Sequence, residues 1–223
     1  MNTESNLTKA QRTRQQIIET SALVFNKKGY AGTSISDITK ATGLTKGSIY
    51  GNFKDKNDLA LCVFHYNSKR VAESFREGFR KAKSSIDVLM VFPDTFASIF
   101  DSILAGGGCP ILNTLLEADD THLELHNEAK KIVYTIKKTI MHAIEAGKKK
   151  YEIALDVNAE AIANTLISLI EGAGAMSKTM GDKSYFDHAI RCSKQLIQSI
   201  QVNDERLFNN AFNKNEILIL SES

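Results

Sequence analysis

Apolar residues recur at helical spacing from one end of this 223-residue chain to the other. Ile18, Ala22 and Phe25 follow an i, i+4, i+7 stripe; Thr8 with Gln11 makes a capping box ahead of it, and Gly29 stops it. Ile35, Ile38 and Ala41 come next at a spacing of three, with Ser34 or Thr33 able to cap and Gly43 suited to a left-handed end. Leu44 plugs the turn, Thr45 caps a second short helix with Ile49 and Phe53 on one face, and Asp55 caps a long helix reaching about Ala82. Residues 84–105 are apolar, with Pro93 predicted to kink or break them, and Gly106-Gly107-Gly108-Cys109-Pro110 is a break.

A shorter helix is expected over 111–117. A long amphipathic one over about 121–146 carries Ala129, Ile132, Val133, Ile136, Ile140, Ala143 and Ile144, ends at Gly147 and leaves Lys148-Lys149-Lys150 as a solvated loop. Asp156 reads as the cap of the next helix, with Ile162, Thr165, Leu166, Leu169, Ile170 and Ala173 in register. The last long helix, about 184–201, contributes Ile190, Ile197 and Ile200. With two prolines and no tryptophan, the fold class is all-α.

The chemistry concentrates in residues 33–58. Two short helices joined by a tight turn, the second short, polar and partly basic, are how a protein builds a probe for the DNA major groove. Ile49 and Phe53 face inward, which leaves Lys46, Gly47, Ser48, Tyr50 and Asn52 on the remaining surface. Lysine reaches a guanine edge or a phosphate, serine bonds to either, and tyrosine offers a hydroxyl to phosphate. Glycine at 47 lets the backbone approach closely, and Asn52 has the groups to read adenine or bond phosphate. Lys56 beside a helix N-terminus makes a phosphate clamp. Charge agrees: residues 1–60 hold nine Lys and Arg against five Asp and Glu, while the whole chain is only +2.

These residues carry a resemblance. Ala22-Leu23-Val24-Phe25, Lys28-Gly29-Tyr30, Thr33-Ser34-Ile35 and Asp37-Ile38, followed by Gly43 through Lys56, resemble the N-terminal domain of the TetR family of bacterial transcriptional regulators over about fifty positions. The resemblance implies that residues 1–56 form a three-helix helix-turn-helix DNA-binding domain. Residues 57–223 would form a larger helical domain for effector binding and dimerisation. It implies DNA contacts from Ser36, Thr45, Lys46, Gly47, Ser48, Tyr50, Asn52 and Lys56. Gly51 departs from the family, which more often carries a bulky residue there, so fewer base contacts are expected.

The two terminal helices have surplus apolar surface, expected to bury against a second copy. The resemblance points to a four-helix dimer interface, with Leu166, Leu169, Ile170, Ala173, Ile190, Ile197 and Ile200 as its residues. The expected partners are therefore a near-palindromic double-stranded DNA operator, the chain itself as a homodimer, and a small-molecule effector that releases the DNA. Phe96, Phe100, Cys109, Leu112, Tyr134 and Met176 are the candidates for the effector pocket. Cys109, after three glycines and near a helix start where thiolate is favoured, supports an alternative in which the regulator senses oxidants or electrophiles.

The remaining residues exclude more than they suggest. His122 and His126 read as a solvated helix face, and Glu117, Asp119 and Asp120 as capping and surface charge. Cys62, Cys109 and Cys192 show neither pairing nor metal spacing, so no metal or cofactor is expected. Gly106-Gly107-Gly108 lacks the lysine and hydroxyl residue of a phosphate-binding loop, and no nucleophile and base are paired, so the chain is not read as an enzyme. A helical interaction module that no longer binds DNA is the rival class, with Gly51 as its hint. No stretch is read as long and apolar enough to span a membrane, and a cytoplasmic location is expected. The apolar run 217–220 has no assigned role.

Overall fold

The computed structural model describes residues 8–202. Among them run nine α-helices: α1 Lys9–Gly32, α2 Ile35–Thr42, α3 Lys46–Asn52, α4 Lys56–Lys81, α5 Ser85–Ala105, α6 Pro110–Ala118, α7 Leu123–Lys149, α8 Ala159–Met180 and α9 Ser184–Ser199. The apolar run 217–220 lies outside the described residues.

The caps follow the side chains that local chemistry favours. Thr8 and Gln11 form the capping box of α1, and Ser34 rather than Thr33 caps α2, reciprocally with Asp37. Gly43 ends α2 at φ 70°, Thr45 Oγ1 accepts from the Ser48 N–H at 3.2 Å to start α3, and Asp55 Oδ1 accepts from the Asp58 N–H at 2.9 Å to start α4.

Four expectations change. Gly29 interrupts α1 at φ 74° and ψ 175°, but a last turn resumes beyond it to Gly32. Pro93 does not break α5, because the buried row Leu89, Phe92, Phe96 and Phe100 holds the helix on the core through the missing hydrogen bond. Gly147 does not end α7 but sits buried inside it: a Cβ there would lie 2.6 Å from Ile153 Cδ1 and 2.9 Å from Ser85 Cβ. Lys148 and Lys149 are helical and only Lys150 caps. Asn158, not Asp156, caps α8 by accepting from the Ala161 N–H at 3.0 Å.

Two apolar clusters result. The first joins Ile17, Ile18, Ala22, Phe25, Ile38, Ile49 and Phe53 to Leu59, Ala60, Val63 and Phe64 of α4, and also to Ala118, Leu125 and Ala129 of α6 and α7. The head is thus packed directly onto the body, with α4 running through the junction. The second cluster fills the body between α4, α5, α7, α8 and α9.

Two further corrections concern the body. By length and composition α5 is apolar enough to cross a membrane, contrary to the sequence reading. Here it packs its apolar side into the second cluster, and its Asp94 pairs with Lys194 of α9 at 2.5 Å. Of the residues expected at a dimer interface, Leu166, Ile170, Ile190, Ile197 and Ile200 are buried in the protomer's own core. Helical periodicity marks an apolar stripe without saying whether the same chain or another covers it. Leu169 and Ala173 are half-buried.

Candidate nucleic-acid interface and body cavity

The helix α3 is held by its two apolar residues. Ile49 and Phe53 are nearly inaccessible, and the Arg14 guanidinium lies over the Phe53 ring at 4.3 Å, pinning the end of α3 to α1. The opposite side faces outward: Ser36, Thr45, Lys46, Gly47, Tyr50 and Gly51 are exposed, while Ser48, Asn52 and Lys56 are half-buried. The eight residues expected to contact DNA therefore lie on α2, on α3 with its cap, or, for Lys56, at the start of α4, and none is sequestered. A Cβ at Gly51 would meet nothing within 4 Å, so its absence leaves a gap in the outward face rather than relieving a clash.

Several of these groups are committed in advance. Asn52 Nδ2 donates to the Ser48 carbonyl at 2.9 Å, so the side chain presents its oxygen outward more readily than a paired donor and acceptor. That weakens the adenine reading and favours a donor-bearing partner. Lys46 Nζ lies 5.8 Å from the Tyr50 ring centroid, and Lys56 Nζ sits over the Tyr30 ring at 4.2 Å. Lys28 is paired with Asp37 at 2.5 Å and holds that carboxyl well below the usual carboxylate range, the side-chain hydrogen bond from Lys28 being the largest cause. Lys40, at the end of α2, is exposed and adds to the basic surface; it went unread because it carries no motif.

Behind this surface the head is bonded to the body. Where α1 breaks at Gly29, the N–H groups of Tyr30 and Ala31 open a new turn, and both donate at 2.7 Å to the carboxylate of Glu117 on α6. Glu117 is therefore a capping residue, but for a helix turn 86 residues away rather than its own. The Tyr30 ring also meets His122 edge-on at 4.5 Å, and its hydroxyl donates to Asn57 Oδ1. Burial raises the pKa of this phenol, with Asp55 adding to the shift. Asn113 Nδ2 donates to both the backbone and side-chain oxygens of Asn26 at 3.3 Å, and Asn26 Nδ2 donates to the carbonyls of Gly106 and Gly108 at 2.8 and 2.9 Å.

The two histidines are not a solvated face. His122 Nδ1 accepts from the Leu125 N–H at 3.2 Å as the cap of α7, and His126 Nε2 lies 3.4 Å from Asp119. No group of three or more metal-binding side chains occurs among the described residues.

The glycine-rich break opens into a cavity of about 230 Å³ between α5, α6, α8 and α9, lined by Phe96, Phe100, Leu112, Leu116, Ile170 and Phe186 with Cys109, Glu171 and Lys178. Phe96, Phe100, Cys109 and Leu112 thus come together as expected. Tyr134 and Met176 do not: both are exposed, on α7 and α8, because their positions fall on the outward side of those helices. Phe96 also borders a second cavity of about 410 Å³ with Phe75, Phe79 and Phe92. Cys109 is corrected as well. Its thiol donates to Glu171 Oε1 at 3.2 Å, and burial first, then the Glu171 charge, pushes its pKa well above the ordinary thiol range despite the helix N–H groups of Leu112 and Ile111. The sequence reading missed Glu171 because a single acid on an apolar helix looks like surface charge.

Two family models match parts of the chain. Residues 17–63 match the model for bacterial regulatory proteins of the tetR family, and residues 86–193 match the tetracyclin repressor-like C-terminal domain. A TetR-family regulator from Cytophaga hutchinsonii superposes with a TM-score of 0.82 at 38% identity, over 90% of this chain and 100% of that one. The chain belongs to the TetR family. A second TetR regulator, from Chloroflexus aurantiacus, gives a TM-score of 0.83 at 34% identity, over 88% of this chain and 100% of that one. The HTH-type transcriptional repressor DhaR of Mycobacterium sp. (strain GP1) is 29% identical over 72% of this chain and 79% of its own length. This TetR-family protein is a DNA-binding transcriptional regulator and not an enzyme. Regulators of the family bind DNA and act as dimers.

Proposed function

We propose that the protein is a homodimeric repressor released from a near-palindromic operator by a small molecule held in the body. The observation that carries this is α6. One side of it lines the 230 Å³ cavity through Leu112, Asn113 and Leu116, and its last turn grips the break in α1 through Glu117. A ligand that displaces α6 would move the head by the same bonds. The repressor name of the DhaR relative agrees with the sign of regulation.

In this reading residues 1–56 bind DNA and 57–223 hold the effector and the dimer contact. Ser36, Thr45, Lys46, Gly47, Ser48, Tyr50 and Asn52 meet the groove, Asn52 offering its oxygen to a donor on a base edge, with Lys56 toward the phosphates. The second copy packs on the outward sides of α8 and α9, where Ala161, Thr165, Ser168, Gly172 and Met176 are accessible on one helix and Tyr185, His188, Cys192 and Gln195 on the other. Successive major grooves on one face of B-DNA lie about 34–36 Å apart, so a change in head separation breaks binding without touching a contact residue. A cytoplasmic location follows from that role.

The test is selection of bound fragments from the host's sheared genome by the purified protein at fixed physiological salt. Enriched fragments sharing an inverted repeat support the reading. A folded dimer that enriches nothing, before and after refolding to strip bound ligand, overturns it.

A further inference from the structure

We propose that the 230 Å³ cavity takes a small organic cation: a protonated amine carried on a compact apolar or aromatic body, with Glu171 as its counter-charge. The inference rests on reading this cavity as the effector site. Its walls are apolar and aromatic, with Phe100 and Phe186 stacked at 3.9 Å and Phe96, Leu112 and Leu116 around them. Into this lining α8 places one carboxylate.

Glu171 is poorly partnered for an acid in such a place. The only hydrogen bond it receives among the described residues is from the Cys109 thiol at 3.2 Å, a weak donor. The cation nearest by position, Lys178, lies two helical turns on and spends its ammonium on the Gly107 carbonyl at 2.5 Å. Burial correspondingly raises the Glu171 pKa, with Cys109 opposing. A half-buried carboxylate in an apolar lining with no ion pair among the described residues is costly, and a bound ammonium supplies a direct counter-charge while the ring faces attract it further.

Size limits the ligand. Drug-sized sites run roughly 300–1,000 Å³, so this cavity holds a molecule of one ring and a short chain. An anion is disfavoured by Glu171, and a neutral molecule of the same shape gains the apolar contact alone.

The experiment uses three probes of one shape: phenethylamine, 2-phenylethanol and phenylacetate. Calorimetry on the full-length protein and on Glu171→Gln reads binding, and fluorescence anisotropy on a fragment recovered by genomic selection reads DNA release. The expected result is phenethylamine at least ten-fold tighter than 2-phenylethanol in the parent, phenylacetate weakest, and the two uncharged-versus-charged affinities converging in Glu171→Gln. Equal parent affinities for amine and alcohol, tightest binding of phenylacetate, or an amine preference that survives Glu171→Gln each overturn the proposal. The parent series decides even if the variant does not fold. Glu171-dependent amine binding that leaves DNA occupancy unchanged retains the cation site and removes its effector role. Release by the alcohol or the acid alone does the reverse.

Discussion

Replacing Gly29 by alanine tests whether head and body are joined as the structure shows. Gly29 has φ 74° and ψ 175°, a backbone region that costs a residue with a Cβ on the order of 1–3 kcal/mol. The added Cβ would also lie 2.4 Å from Glu117 Oε2 and 2.5 Å from its Cδ and Oε1, so the carboxylate must swing away. That breaks the bonds from the Tyr30 and Ala31 N–H groups, each about 1.5 kcal/mol for a half-exposed charged acceptor. Gly29→Ala should therefore lose about 4–6 kcal/mol, and Glu117→Ala about 3. Because both remove the same two bonds, the double variant should cost no more than Gly29→Ala alone, a coupling of about 3 kcal/mol between the sites. Urea unfolding followed by circular dichroism, at one protein concentration for all four proteins, measures the cycle. Additive losses, or a Glu117→Ala loss below about 0.5 kcal/mol, would refute the account of the joint.

Other expectations follow from single observations. Tyr50→Ala should weaken binding to every DNA sequence, and Lys56→Ala should shallow the slope of log affinity against log salt by about 0.9 per lost phosphate contact, read by anisotropy. Gly172→Arg, whose Cβ meets open space in the protomer, should shift sedimentation from dimer to monomer while leaving helix content unchanged. In the Gly172→Arg monomer, where no second copy covers α9, Cys192 should react with a thiol reagent before Cys109, since the first is exposed and the second is half-buried with its thiol pKa raised; mass mapping of a partial modification checks the order. Glu171, whose folded pKa is raised, binds more protons than the unfolded chain above the ordinary glutamate range, so its contribution to stability falls as pH rises through that range toward the folded value. Glu171→Gln should therefore raise the unliganded melting temperature at neutral pH, and should not do so below the ordinary glutamate range, where the acid is protonated in both states.

The sequence was most legible where local chemistry alone decides. Caps at Thr8, Ser34, Thr45 and Asp55 and the left-handed end at Gly43 depend on residues within a turn of each other, and the helices there fall where the pattern puts them. It was least legible where a distant element overrides the local signal. Gly147 looks like a helix stop but serves close packing with Ile153 and Ser85. Pro93 looks like a break but is outweighed by the buried phenylalanines beside it. Leu166, Ile170 and Ile197 look like an intersubunit stripe but fill their own core. Glu117 and Glu171 look like surface charge because nothing within a few residues says that one caps α1 and the other enters a cavity.

Those two glutamates also constrain how release can work. A ligand shifts an equilibrium only by its difference in affinity for the two states, and every 1.4 kcal/mol of difference is about a factor of ten. A 230 Å³ cavity in which a bound cation pairs with Glu171, as proposed, offers only a few such factors. Moving a population from 1:99 to 99:1 takes about 5.5 kcal/mol of differential binding, so the proposed release by a ligand requires an unliganded protein that already sits close to the released arrangement. The joint has the character this requires. Head and body meet through half-exposed hydrogen bonds at Asn26, Tyr30 and Ala31 as well as through the apolar cluster, so α6 can exchange polar contacts for water without opening that cluster. Weakening the joint by Glu117→Ala should then lower DNA affinity without ligand and narrow the ligand's remaining effect. A change at the DNA surface itself, such as Tyr50→Ala, should lower affinity and leave the ligand's fold-effect intact.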